Sequence, residues 1–204
     1  MRGGYNSVEQ GLEDGVVGTA CMNSLTGYFL VASPHLGDPN FFRAVVLIIR
    51  HDEEGAFGVV LNRPLPSTVS EIWRALGSDS VENDQPIYLG GPVTGPLLAV
   101  HGNELYSEGD VLDGVFYATH KDHLNELVAD GHGQLRIFSG YAGWGEGQLE
   151  NEISEGSWLT TLATVDDVFA EPEEMWKSVA SRIGLEILMP RVQARHVPPN
   201  PEMN

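Results

Sequence analysis

The sequence predicts an α+β fold: one domain with a mixed or antiparallel sheet, flanked by about four helices. Three observations carry that expectation. Strand-like and helix-like patterns do not alternate regularly along the chain, which argues against a doubly wound sheet. The first long connection reads as a hairpin. The length of 204 residues suits a single core that needs neither disulfides nor a structural metal.

The elements follow in chain order. Residues 1–24 hold four glycines in their first fifteen positions and no sustained periodicity, so they read as an N-terminal arm ahead of a domain over 25–190. Tyr28–Ala32 is a buried strand stopped by Pro34. Arg43–Arg50 and Ala56–Asn62 are two further apolar, β-branched runs, and the polar loop His51-Asp52-Glu53-Glu54-Gly55 makes them a hairpin. Thr68-Val69-Ser70-Glu71 fits a capping box; Val69, Ile72, Trp73 and Leu76 then recur at helical spacing until Gly77 stops the helix. Strands are expected over Pro86–Leu89, Leu97–His101, Gly114–Ala118, Gln134–Phe138 and Ser157–Ala163. A helix from Thr119 to Gly131 buries Leu124, Leu127 and Val128, and a short one covers Gly147 to Ile153. A last helix has Pro172 in its first turn, carries Met175, Trp176, Val179 and Ile183, and ends at Gly184. Residues 191–204 read as a Pro-rich tail, in which Val197-Pro198-Pro199-Asn200-Pro201 can neither extend a helix nor pair centrally in a sheet.

The formal net charge is −18, from 11 Lys+Arg against 29 Asp+Glu. It is concentrated. Residues 75–119 and 137–176 contain no Lys or Arg and hold nearly all of the excess, so the remainder is close to neutral. A solvated acidic surface accounts for this, as does an acidic docking face for a basic partner. Direct nucleic-acid binding is disfavoured because it needs clustered cations. The single cysteine, Cys21, excludes a disulfide scaffold and a Cys-rich zinc site. The apolar run Ala44–Ile49 is far short of the roughly 20 residues of a membrane span. The N-terminus lacks a basic region and an apolar h-region, so a cytoplasmic, non-membrane protein is expected.

Candidate chemistry is sparse. Ser33, His35 and Asp38 invite a hydrolase reading, but neighbours on one short segment rarely converge as a triad; Asp38-Pro39 reads more simply as an N-cap followed by Pro. His120 and His123, with His132 beyond the helix, lack the third ligand of a metal site. No catalytic residue, cofactor or metal is therefore assigned. Gly90-Gly91-Pro92 follows a strand, as an anion nest or as a tight turn. The densest signal is Phe138-Ser139-Gly140-Tyr141-Ala142-Gly143-Trp144-Gly145-Glu146-Gly147-Gln148-Leu149-Glu150, read as a glycine-rich loop between a strand and a helix. It is no phosphate loop: Gln148 replaces the third glycine, no Lys follows, and Glu146 and Glu150 would repel a phosphate. Tyr141 and Trp144 could stack on a flat ligand or pin the loop to the core.

At this loop the sequence resembles the YqgE/AlgH family of bacterial proteins. The resemblance runs from about Leu25 to the final helix. It is carried by Phe29–Pro34 with Leu36, Asp38-Pro39 and Phe41; Arg43–Val46; His51–Gly58 with Asn62 and Pro64; Gly90–Val93; and Phe138–Gly145 with Gly147-Gln148-Leu149 and Glu152. It implies an α+β domain with a β-barrel-like core sheet surrounded by helices. It implies no particular reaction; one branch of the family carries the label of a transcriptional regulator of alginate synthesis.

The expected function is that of a non-enzymatic regulatory or binding protein. A surface formed by Gly90, Gly91, Pro92, Gly140, Tyr141, Gly143, Trp144, Gly145, Gln148 and Glu150 would contact an unknown protein or a small neutral or cationic ligand. One alternative is an enzyme, using Ser33, His35 and Asp38 or a metal at Glu146, Glu150 and Glu152. Another is a transcriptional regulator, acting indirectly rather than through DNA.

Overall fold

Strands β1 (Tyr28–Ala32) and β2 (Val45–Asp52) are apolar at nearly every position because both of their faces are covered. Phe29 and Val31 of β1, with Val45, Leu47 and Ile49 of β2, face one apolar cluster; Leu30, Ala32, Val46 and Ile48 face another on the opposite side. The computed structural model in which this is seen describes residues 24–78, 82–131 and 133–193, with side chains as far as Gly184.

Hairpin strand β3 (Gly55–Val60) follows β2 by a tight turn in which Asp52 pairs with Gly55. The strands thus run into the expected loop, and only Glu53 and Glu54 form its tip. Next come β4 (Pro64–Thr68), α1 (Val69–Ala75), β5 (Pro86–Leu89), β6 (Val93–His101), β7 (Gly109–Leu112), β8 (Val115–Ala118) and α2 (Lys121–Asp130). They are followed by β9 (Leu135–Gly145), α3 (Gln148–Ser154), β10 (Trp158–Leu162), α4 (Val165–Val168) and α5 (Pro172–Gln193). Single 3-10 turns lie at Pro39–Phe41 and Glu104–Tyr106. The expected capping box is formed: Thr68 Oγ1 accepts from the Glu71 N–H while Glu71 accepts from the Thr68 N–H.

The sheet runs β10-β1-β2-β3-β9-β6-β8-β7, all antiparallel; β4 pairs with β5, and β5 joins β9 in the one parallel pairing among the described residues. It curls into a half-barrel. A Cβ placed on Gly27, just before β1, would lie 2.6 Å from the Val111 carbonyl oxygen of β7, at the far end of the strand order. The inside of the curl holds Phe29, Leu47, Val59, Phe138 and Val115, closed by Met175, Val179 and Ile183 of α5. A second cluster lies under α3, and a third under α1 and α2. This is the expected α+β class with its barrel-like core, with five helices among the described residues where about four were expected.

Three expectations need correction. Helix α5 does not stop at Gly184 but continues to Gln193; a single glycine in a helix costs about 1 kcal/mol, which the packing of its apolar face outweighs. Strand β9 does not end at Phe138 but runs through the glycine-rich motif to Gly145. Strands β4 and β7 and helix α4 were not anticipated: β4 carries two prolines and pairs with β5 alone, as an edge strand must, and the other two are four residues each. The N-terminal arm to residue 23, Cys21, His132 and the prolines from 198 on lie outside the described residues. No helix among the described residues is long and apolar enough to cross a membrane.

Candidate functional site

The glycine-rich motif is a strand crossed by another stretch of backbone. In its first part β9 pairs with β5, Tyr88 facing Phe138; from Ala142 on it pairs with β3. The change falls at Gly140, which has φ +75°. The inside–outside alternation inverts there: Phe138 and Tyr141 pack toward the interior of the curl, while Ile137, Ala142 and Trp144 face outward clusters. Gly90 and Gly91 pass directly over the junction. The Gly90 N–H donates to Ser139 O and its carbonyl accepts from the Val60 N–H. A Cβ on Gly90 would come within 2.1 Å of the Gly140 oxygen, and one on Gly140 within 2.7 Å of the Val93 oxygen. These three glycines are required by close backbone approach; Pro92 beside them is exposed.

Trp144 is 6% exposed and its indole N–H donates to Glu152 Oε2. The Trp158 indole donates to the same oxygen at 2.8 Å, and Gln148 Nε2 donates to Oε1 at 2.8 Å while its own Oε1 accepts from the Gly145 N–H. Phe41 packs on both indoles. Burial of Glu152 pushes its carboxyl up, but hydrogen bonds from Trp158, Gln148 and Trp144 outweigh this and hold it below the usual carboxylate range. Glu150, on the next face of α3, lies 2.7 Å from Nε2 of the buried His51, whose Nδ1 accepts from the Leu25 N–H. Trp144, Gln148 and Glu150 thus brace β9 against α3, β10 and β2.

The proposed catalytic groupings do not assemble. Ser33 Oγ accepts from the His35 N–H, and Asp38 caps the turn at Pro39–Phe41 through the Asn40 N–H. Glu152 is taken by its three donors and Glu150 by His51, so they do not converge with the exposed Glu146. His123 Nδ1 meets Glu108 at 2.9 Å. Among the described residues no three His, Cys, Asp or Glu side chains gather as a metal would require.

What remains open to contact is the ring of Tyr141. It is half-buried, edge-on to Phe57, which in turn is edge-on to Tyr117. Gly95 and Gly143 stand on either side of it: a Cβ on either would lie 3.1 or 3.3 Å from the ring. Neither glycine has a side chain to cover it. Around it Pro92, Val93, Thr94, Gly143 and Gly145 are exposed. The expected residues therefore divide into buried crossing glycines, a brace, and a rim around Tyr141. Three residues were not read from the sequence as belonging to a site: Arg43 and Arg63 at one cleft and the buried Arg136 at the next. Arg136 could have been noticed as a charge inside the apolar run Leu135-Arg136-Ile137-Phe138.

Comparison with known proteins agrees with the fold and the motif. Residues 29–188 match the family model described as AlgH-like, DUF179. A UPF0301 protein of Streptomyces avermitilis is 42% identical over 179 residues, covering 82% of this chain and 91% of the relative. One of Myxococcus xanthus is 40% identical over 173 residues, covering 82% and 96%. The solution structure of the AlgH protein of Pseudomonas aeruginosa superposes with a TM-score of 0.67 at 33% identity, covering 93% of this chain and all of that one. With the glycine crossing, the Trp144–Glu152 brace and the half-barrel all lying inside the matched span, the chain belongs to the AlgH-like, UPF0301 family.

Proposed function

We propose that this protein acts by binding, as a regulatory protein without a reaction centre of its own. Its contact surface lies where the Gly90–Val93 crossing meets the second half of β9. The observation that carries this reading is the half-buried ring of Tyr141, flanked by Gly95 and Gly143 rather than by side chains and rimmed by exposed Pro92, Val93 and Thr94. Aromatic surface on a rigid strand, left bare by glycines, suits a protein contact better than a solvent face. The partner surface is neutral or cationic, because residues 137–176 carry acids and no Lys or Arg. Any effect on transcription would then run through a protein partner rather than through DNA phosphates. A photo-crosslinking residue at Thr94 should join one recurrent partner in cells. Val93→Glu should abolish that product while circular dichroism and thermal unfolding stay unchanged. A crosslinking pattern indifferent to Val93→Glu removes the surface.

A further inference from the structure

A chain with 29 acids and 11 Lys+Arg should leave few cations without a carboxylate. Arg50, Lys177 and Arg182 have theirs, at Asp52, Glu174 and Asp167. Among the described residues Arg74 and Lys121, exposed on α1 and α2, form no ion pair, and neither do Arg43, Arg63 and Arg136, which all border one groove. It runs between the β3–β4 connection and the first turn of α5. Two open clefts of about 410 and 460 Å³ make it up, and Pro64 and Pro172 belong to the walls of both. Arg43, Arg63 and Lys177 line the first, Arg136 and Tyr88 the second.

The guanidinium groups are held in place by carbonyls. Arg136, 6% exposed, donates from Nη1 to Leu61 O at 3.2 Å and from Nη2 to Ala170 O, with its Cζ 4.9 Å from the centre of the Tyr88 ring. Arg63 donates from Nη1 to Asn62 O at 3.3 Å and from Nη2 to Phe42 O. Leu61 and Asn62 are consecutive, so the two groups flank one short length of backbone. Arg43 is the one non-glycine residue with positive φ among those described, at +54°. Asn62 fastens that strained backbone by accepting from the Val45 N–H and donating to Arg43 O. Strain of this kind, held by a dedicated side chain, is more common where a side chain must be aimed. The Arg43 guanidinium then rests 5.5 Å from the Trp176 ring.

A guanidinium has five N–H donors in a fork that matches phosphate and carboxylate oxygens. Arg63 and Arg136 each give two bonds to carbonyls, which leaves donors for a ligand. A buried cation without a counter-ion is costly. Burial pulls the Arg136 guanidinium below its usual range, with Tyr88 and Glu171 opposing. Glu171, Glu173 and Glu174 are exposed at the rim, Glu174 paired with Lys177. That rim would turn away a polyanion and admit a small anion that reaches the floor.

We propose that this groove binds a small oxyanion, a phosphate monoester or a carboxylate, held by Arg63 and Arg136 with Arg43 at its mouth. The site is separate from the Tyr141 surface and does not depend on it. The test uses the full chain, ¹⁵N-labelled at low salt, titrated separately with inorganic phosphate, phenyl phosphate and benzoate. At least one probe should shift amides within 61–65, 85–89, 133–136 and 170–177, and the arm that binds tightest identifies the anion class. Arg63→Gln and Arg136→Lys should each weaken it about tenfold to a hundredfold. Arg74→Gln, on the exposed side of α1, should leave it unchanged. Arg63 is half-exposed, so its variant decides the matter if the Arg136 variant unfolds. Unchanged affinity in Arg63→Gln, shifts scattered over the whole surface, or no shift with any probe overturns the proposal.

Discussion

The indole N–H of Trp144 on β9 ends on Oε2 of Glu152 on α3, at 2.9 Å. The bond joins the glycine-rich motif to the helix that follows it, and Trp158 of β10 shares the acceptor. A motif with the composition of a mobile loop is thereby fixed in the sheet.

Removing the acceptor should be more damaging than removing one donor. Glu152→Ala leaves two indole N–H groups and the Gln148 amide without their partner, a loss of about 2–4 kcal/mol. Trp144→Phe keeps an aromatic ring and gives up one bond, at about 1–2 kcal/mol; Trp144→Ala adds a cavity and should cost about 3–5 kcal/mol. Urea unfolding gives the order directly, and a Glu152→Ala protein as stable as the parent would show that the brace carries no stability.

Two glycines of the same motif should respond oppositely to alanine. At Gly140 the backbone has φ +75° and a Cβ would meet the Val93 oxygen at 2.7 Å, so Gly140→Ala should cost about 3 kcal/mol or more. Gly145 has neither a positive φ nor any atom within 4 Å of a built Cβ. Gly145→Ala should stay within about 0.5 kcal/mol of the parent. Thermal unfolding of the pair distinguishes a required crossing from general flexibility.

His101 should make the protein less stable in mild acid. Its ring is fully buried, Nδ1 accepts from the Asn103 N–H, and Nε2 has no partner among the described residues. Burial lowers its pKa from 6.5, because the charged ring would lose its hydration inside the sheet. Between the depressed folded value and 6.5 the unfolded chain binds more protons, so stability is full above 6.5, falls as the pH drops through that window, and loses nothing more to this group below the folded value. Urea midpoints from about pH 5 to about pH 7 should show the slope, and His101→Gln should flatten it. A slope unchanged in the variant assigns it to another group.

Glu108 acts in more strongly acid solution and with the opposite charge. It fastens the segment leading into α2 from a distant connection, accepting from the Thr119 N–H and hydroxyl, the His120 N–H and His123. Burial raises its pKa, but these bonds outweigh it and the net shift is downward from 4.5. Its stabilisation is therefore complete above 4.5 and is lost as the pH falls through the lower folded value. Glu108→Gln should cost about 1–3 kcal/mol near neutrality and remove that part of the acid transition. Equal acid midpoints for the two proteins would count against this role.

Much of the fold was legible in local patterns. The capping box at Thr68–Glu71, the glycine after α2 and the apolar run of β1 each express a rule that acts within a few residues, and each formed as read. The second half of β9 was not legible. Four glycines in eight residues imply a loop, yet Gly140, Gly143 and Gly145 lie in the strand, with Gly90 and Gly91 passing against Gly140, and only Gly147 stands outside it, ahead of α3. Helix α5 likewise runs past Gly184, since a single glycine costs only about 1 kcal/mol in a helix whose earlier turns are already packed on the half-barrel.

The sequence by itself determined the α+β class, most of the elements, the family and the uneven charge, because propensity, periodicity and composition are properties of the chain alone. Only the tertiary structure decided what individual residues of the motif do. Trp144, Gln148 and Glu150 became a brace, Tyr141 a half-buried ring flanked by glycines, and Arg43, Arg63 and Arg136 neighbours on one groove. Those roles depend on contacts between residues far apart in the chain, and on desolvation that no local pattern encodes.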